Sequence, residues 1–222
     1  MQGFDIDVIL EYWPEFLRGA EATIIYSLLS LSLASVIGLL VAFARISHLS
    51  PLVWLARGYV DIVRGTPALV QIFFIYFGLP ALGVNLSAPV AAVIALSINS
   101  GGYLAEIFRA GIVGIEIGQM EASRSVGMSH AQAMRRTILP QAALRVVPPT
   151  AGEFTNLIKG TSLLSTISVS ELTRVAQQII GVTFRPVEAY VAIAVIYFLL
   201  NAVISQGSIW LEQWLRRSQG LA

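Results

Sequence analysis

The sequence predicts an all-α membrane protein of about five transmembrane helices, and three observations lead there. Hydrophobic residues make up 56% of the chain, charged residues only 12%, and the mean hydropathy is +0.75. Soluble domains carry about a quarter charged residues. Two runs, Ala22 to Ala44 and Ala189 to Leu211, hold 23 residues each without a charge, enough for the roughly 20 residues that cross the hydrocarbon as a helix. The basic residues also divide unevenly between alternate connections, which fixes an orientation with the N-terminus outside and the C-terminus cytoplasmic.

The 222 residues are read as one transmembrane domain, 1–222. The first span covers about 20–44. Within it Ser27, Ser30, Ala34 and Gly38 recur every three or four residues, a spacing of small side chains that lets membrane helices approach closely. Gly65 to Ala105 is uncharged for 41 residues, too long for one crossing, and Pro80, Gly83, Asn85 and Pro89 interrupt it. It therefore divides into spans at about 58–79 and 88–106. Only 15 of its residues, Gly65 to Leu79, precede the interruption, so the first of these spans reaches back past Arg64 or is kinked at Pro67. A fourth span is expected at 144–169 despite Glu153 and Lys159, each of which costs about 2.5–3.5 kcal/mol near a helix centre. A fifth covers 188–211.

Five spans place Arg45, Arg57, Arg64, Arg109, Arg124, Arg135, Arg136, Arg145, Arg216 and Arg217 on the cytoplasmic side, ten of the fourteen Lys and Arg. Arg18, Arg174 and Arg185 remain outside, and Lys159 lies within span four. An even number of spans would spoil this asymmetry. The acidic N-terminus, with Asp5, Asp7, Glu11 and Glu15, has no basic region of the kind that opens a cleaved signal peptide. Cysteine is absent, which excludes disulfides, thiolate nucleophiles and Cys-ligated metal. His48 and His130 have no metal-like spacing, and no metal or cofactor is expected in this chain.

The longest connection, Glu106 to Leu144, is a 39-residue cytoplasmic loop. Its heart is a polar island from Gln119 to Pro140. Helix formers occupy Glu116 to Val126, Gly127 turns the chain, Ser129 is a candidate N-cap and Ala131 to Leu139 forms a second helix before Pro140. The result is a compact two-helix knob.

Glu121-Ala122-Ser123, Gly127 and Ile138-Leu139-Pro140 resemble the EAA loop of the membrane subunits of ABC importers. That pattern reads Glu-Ala-Ala, three residues, Gly, nine residues, Ile, one residue, Leu-Pro. Ser123 stands where the pattern has Ala and Thr137 where it has Ile. Three further blocks, Val63 to Gln71 with Tyr76 to Pro80, Tyr103 to Arg109, and Lys159 to Leu163, resemble the polar amino-acid subfamily of these permeases. The resemblance covers about Arg18 to the C-terminus.

It implies a permease subunit of a bacterial cytoplasmic (inner) membrane importer, working by alternating access. The loop at about 110–140 would be the coupling element, with Glu121, Ala122, Ser123, Gly127, Ile138, Leu139 and Pro140 engaging a separate ATPase. Two ATPase subunits carrying ATP and Mg, a second identical or homologous permease and an extracytoplasmic amino-acid-binding protein are the implied partners, with the lipid bilayer around them and no nucleic acid. The chain has no GxxxxGK[ST] phosphate loop, so hydrolysis is expected on the partner.

Polar residues inside spans mark pathways or paired sites. Glu153, Asn156 and Lys159 follow at steps of three and are expected on one side of span four, either offering both signs to a zwitterionic amino acid or pairing structurally. Thr161 and Ser162, after Gly160, offer hydroxyls where a helix loosens. Thr66 and Gln71 do so from span two, and Asn99 shares a face of span three with Tyr103 and Glu106. Glu106 and Arg109 are read as a structural pair. The competing function is a secondary transporter or channel driven by an ion gradient, with Glu153 and Lys159 as ion sites. An intramembrane enzyme lacks metal-spaced ligands and a GxSxG motif.

Overall fold

A computed structural model describes residues 4–218. Among these residues there are helices and no strands. A short α1 (Ile6–Glu11) precedes α2 (Trp13–Ile46), whose 34 residues run well beyond the hydrocarbon thickness. The buried stripe of α2 is Phe16, Gly19, Ala20, Thr23, Ser27, Ser30, Ala34, Gly38 and Ala42, so the small-residue face read from the sequence is the packing face. It lies along α5 (Ala88–Val113), and this helix pair makes the most extensive contact in the molecule.

Between them the chain forms α3 (Ser50–Gly65) and α4 (Ala68–Phe73), and the stretch Ala68–Leu82 that α4 begins is bent by 109° from α3 across Thr66 and Pro67. The kink expected at Pro67 is thus a full break. Proline has no N–H to give, and the residue before it is driven out of the helical region; Thr66 is accordingly extended, at φ −122° and ψ 145°. From α4 the chain passes through a π-helical turn, Phe74–Gly78, and a 3-10 turn, Leu79–Leu82. Phe74 and Phe77 stay exposed, as expected of lipid-facing side chains.

After α5 come α6 (Ile117–Ser125), α7 (His130–Ala133), a second π turn over Met134–Ile138 and α8 (Leu139–Gly160). These last three are contiguous, so the second helix of the loop does not stop at Pro140 but runs on into the fourth apolar segment. Both π turns end just before a Leu-Pro pair, Leu79-Pro80 and Leu139-Pro140. A proline ring collides with the carbonyl of the preceding turn, and a wider turn before it relieves the collision while the helix continues. Pro148 and Pro149 lie inside α8, removing two further backbone donors.

Past Gly160 the helix tightens to 3-10 over Thr161–Ile167 and ends at Ser168, which adopts φ +61°. A helix missed in the sequence, α9 (Leu172–Thr183), fills what was read as an outside connection, and α10 (Pro186–Ser218) closes the chain. The N-cap of α9 is Glu171, fully buried, which accepts from the backbone N–H of Thr173 (2.9 Å) and Arg174 (2.7 Å) and from the Tyr197 hydroxyl (3.0 Å). Leu172 N–H donates to Thr23 Oγ1 at 3.2 Å. These bonds hold α9 against α2 and α10, over a core of Phe16, Leu172, Ala176 and Ile196.

By length and composition α2, α5 and α10 are able to cross a membrane, and the bent pair Ser50–Gly65 and Ala68–Leu82 is a fourth candidate where the two halves count as one span. α8 falls outside that group because of its charges and prolines. The close approach of α2 to α5 supplies a test. A Cβ on Gly38 would come within 2.8 Å of the Leu104 Cβ, so Gly38→Val is expected to lose about 1–3 kcal/mol through overpacking. Its melting temperature in detergent should fall. Gly58→Ala, inside α3 with nothing within 4 Å, should not lower it, since alanine is the better helix former.

Candidate functional site

Two regions collect the polar residues singled out in the sequence. The first is the seam between α5 and α8, where a cavity of about 270 Å³ is lined by Leu96, Asn99, Ser100 and Tyr103 from α5, Glu153, Asn156, Leu157 and Gly160 from α8, and Ala68 from the start of α4. Glu153 is only 8% exposed, with Ser100 and Asn156 within hydrogen-bonding reach of its carboxyl. No basic side chain lines this space.

Lys159 is not part of it. The expectation that Glu153, Asn156 and Lys159 share one side fails for a geometrical reason: at 3.6 residues per turn each step of three falls short of a turn by about 60°, so Glu153 and Lys159 point about 120° apart. Lys159 is exposed and has no ion pair among the described residues. The exposed residues Arg145, Pro148, Pro149, Gly152, Asn156 and Lys159 make a stripe down α8, and Asn156 joins that stripe to the cavity.

Thr66 and Gln71 have their polar atoms committed to the helix break. Gln71 Nε2 donates to the Val63 carbonyl (2.8 Å), the Thr66 carbonyl (3.2 Å) and Thr66 Oγ1 (2.8 Å), while Thr66 Oγ1 donates to the Ile62 carbonyl at 2.8 Å. Asn99 Nδ2 donates to Gln71 Oε1 at 3.1 Å, which ties the break to the wall of the cavity. Thr161 is fully buried and donates to the Ile158 carbonyl at 2.7 Å. Ser162 donates to the Lys159 carbonyl at 2.7 Å. Neither hydroxyl lines the cavity.

Below the cavity, one turn along α5, Glu106 accepts from Arg45 of α2 and from Arg109, whose Nη2 lies 3.1 Å away. The pair with Arg109 was legible in the sequence; the Arg45 contact needs the fold. Arg64, at the end of α3, lies with its guanidinium 5.5 Å from the centre of the Tyr103 ring. It sits in one of the recognised blocks but was not picked out as a site residue, because a cation next to a predicted span edge looks like a topology signal.

The second region is the knob. α6 packs on the π turn, and Gly127, at φ +87° with nothing within 4 Å of a would-be Cβ, makes the turn between α6 and α7. Ser129 caps α7 in a capping box with Gln132, as the sequence indicated. Glu121, Ala122 and Gly127 are on the outer surface, together with Ile117 and Val126, which are 76% and 73% exposed. Ile138 is buried with Ile112, Ile115 and Ala142, and Leu139 packs against the same group. Pro140 is partly buried at the start of α8.

Ser123 is buried and bonds to the Gln119 carbonyl at 2.8 Å and to Thr137 Oγ1 at 2.9 Å. The two departures from the EAA pattern are therefore partners.

Residues 34–217 match the family described as binding-protein-dependent transport system inner membrane component. The chain belongs to that family. Curated relatives include a probable amino-acid ABC transporter permease protein, YckA, of Bacillus subtilis, 40% identical over 90% of this chain and 88% of the relative. The glutamine transport system permease protein GlnP of Escherichia coli is 39% identical over 91% of this chain and 93% of its own length. Among solved structures, an amino acid ABC transporter with histidines is 39% identical, covers 96% of this chain and 99% of its own, and superposes with a TM-score of 0.90. The MetNI methionine ABC transporter, inward facing, shares the fold at 20% identity and a TM-score of 0.77 over 90% of this chain and 95% of its own.

The Ser123–Thr137 bond gives a sharp double-mutant test within this family member. Ser123→Ala leaves the half-buried Thr137 hydroxyl without this partner, and Thr137→Ile leaves the buried Ser123 hydroxyl with the Gln119 carbonyl alone; each is expected to lower stability by up to about 1 kcal/mol. The double variant, which restores the family pattern, should recover most of that loss. Additive losses in thermal unfolding would mean that the two hydroxyls act independently.

Proposed function

We propose that this chain is the membrane-spanning subunit of an ATP-driven amino-acid importer, forming the translocation pathway by alternating access and coupling through the EAA loop to a separate ATPase. The observation that carries the reading is the cavity between α5 and α8. A chamber of about 270 Å³ holding a buried carboxylate, two amides and two hydroxyl-bearing side chains has the size and chemistry to hold an amino acid. The relatives are permeases of amino-acid transporters, which accords with that chemistry.

In this reading five segments of the single domain 1–222 cross the bilayer, at about 20–44, 58–79, 88–106, 144–169 and 188–211. α3 and α4 together make the second crossing and α8 the fourth. The N-terminus then lies outside and the knob in the cytoplasm of a bacterial inner membrane. Exposed Glu121, Ala122 and Gly127 meet the ATPase, while Ser123, Ile138, Leu139 and Pro140 hold the knob's shape. Two ATPase subunits supply ATP and Mg. A second permease, identical or homologous, covers the exposed stripe from Arg145 to Lys159, whose Arg145, Asn156 and Lys159 lipid would not tolerate, and an extracytoplasmic binding protein delivers substrate.

Glu153, Asn156 and Asn99 contact the substrate; Thr66 and Gln71 hold the pathway's broken helix; Thr161, Ser162 and Lys159 flank it toward the outside. With a carboxylate and no cation in the lining, the cavity favours amino acids with cationic or neutral polar side chains over acidic ones.

Reconstitution of the permease with its ATPase and binding protein tests the whole reading. Uptake should require ATP, and uptake driven by an ion gradient without the ATPase would establish the secondary-transporter alternative. Glu153→Gln should leave assembly intact and reduce uptake of a cationic amino acid at least about tenfold, since removing one partner of a buried charge pair costs about 2–5 kcal/mol. Gly127→Asp is expected to insert normally and to lose ATPase association or coupling.

A further inference from the structure

We propose that Arg64 receives the carboxylate of the transported amino acid, so that the substrate leaves the Glu153 cavity toward the cytoplasm carboxylate-first. The inference rests on the reading of that cavity as the substrate's, and it assigns the residue that complements Glu153 in charge. A zwitterion requires an anion near its ammonium and a cation near its carboxylate. The cavity lining provides only the first.

Arg64 is the cation placed to provide the second. It covers the ring of Tyr103, a lining residue, at 5.5 Å. Ala68, also lining, follows four residues later on the far side of the 109° break. Arg64 therefore adjoins the cavity from two directions. Tyr103 lies three residues before the cytoplasmic end of the third span at 88–106, about 4.5 Å at 1.5 Å per residue, which puts the guanidinium at the cytoplasmic edge of the hydrocarbon, on the side to which the orientation above assigns Arg64. Among the described residues Arg64 makes no hydrogen bond and no ion pair; it covers the ring and is attracted at longer range by the Glu106 carboxylate. The neighbouring carboxylate, Glu106, is already taken by Arg45 and Arg109.

Guanidinium binds carboxylate in a planar two-pronged geometry that a ring face cannot match. A carboxylate arriving beside Tyr103 would draw Arg64 off the ring. Together, Arg45, Arg64 and Arg109 against Glu106 leave an excess of two positive charges beneath a cavity that holds a negative one. The field runs the right way to turn the carboxylate end of the substrate toward the cytoplasm. It also opposes the return of free cations from that side.

The test uses the purified complex of permease and ATPase without binding protein, so that the binding protein's own selectivity plays no part. The probes are L-arginine and L-arginine methyl ester, which differ in the carboxylate. The wild-type complex should bind L-arginine at least tenfold more tightly than the ester. Arg64→Gln should weaken L-arginine to the level of the ester while leaving the ester unchanged, and Arg64→Lys should recover part of the difference. Tyr103→Phe, which keeps the ring, should preserve it. Equal weakening of both probes by Arg64→Gln, or no weakening of either, overturns the proposal. Glu153→Gln separates the two readings: it should weaken both probes, and if it changes neither, the cavity itself is not the substrate site.

Discussion

Inside a bilayer no water is available to satisfy a backbone group that a helix leaves free, and this one requirement organises the centre of the molecule. The chain breaks at Thr66 and Pro67, freeing carbonyls between α3 and α4. Gln71 reaches back across the break to the Val63 and Thr66 carbonyls, and Asn99 fixes Gln71 in turn. The break is thus stapled by a side chain from α4 and braced by one from α5. The same Asn99 faces the cavity, so the groups that make an irregular backbone tolerable also form part of its polar wall.

The rest of the fold brings that wall against a second polar helix. α5 is the common partner: small residues let α2 lie close on one side, while α3, α4 and α8 pack around the others. Its own buried run of Ala91, Ala92, Ala95, Ser97, Ser100, Gly101 and Gly102 keeps it slim enough to be surrounded. Helices crowded around a narrow central one pack closely, and one of the openings on the α5–α8 seam coincides with the polar residues Asn99, Ser100, Glu153 and Asn156. One turn further along α5 the seam becomes charged, with Glu106 clasped between Arg45 and Arg109.

Much of this was legible beforehand because bilayer constraints are simple. Uncharged runs and the small-residue stripe from Ser27 to Gly38 depend on composition and spacing alone. The knob was legible because its glycine and its Ser129 cap are local signals. The break at Pro67 was visible as a short span, but its angle depends on Gln71 and Asn99, which are 28 residues apart. α9 was missed since its 12 residues are too short and too mixed for a span, and its cap, Glu171, becomes meaningful only with Tyr197 and Thr23 beside it. Glu153 and Lys159 were grouped by sequence spacing, whereas two short steps around a helix accumulate enough rotation to separate them.

The continuity of α7, the π turn and α8 changes what the knob is mechanically. A loop joined to a span by a flexible linker would pass on little of any force applied to it. Here the helix that begins at the Ser129 cap continues without interruption to Gly160 and carries Glu153 and Asn156 on the way. Its compliance is confined to named places: the π turn before Pro140 and the paired Pro148 and Pro149, where backbone bonds are missing. The knob is meanwhile anchored to the end of α5 through Ile112, Ile115 and Ile138. Movement of the knob therefore acts on both walls of the cavity, through the end of α5 and along the length of α8. The prolines, lying between the knob and Glu153, set where α8 bends when those walls shift.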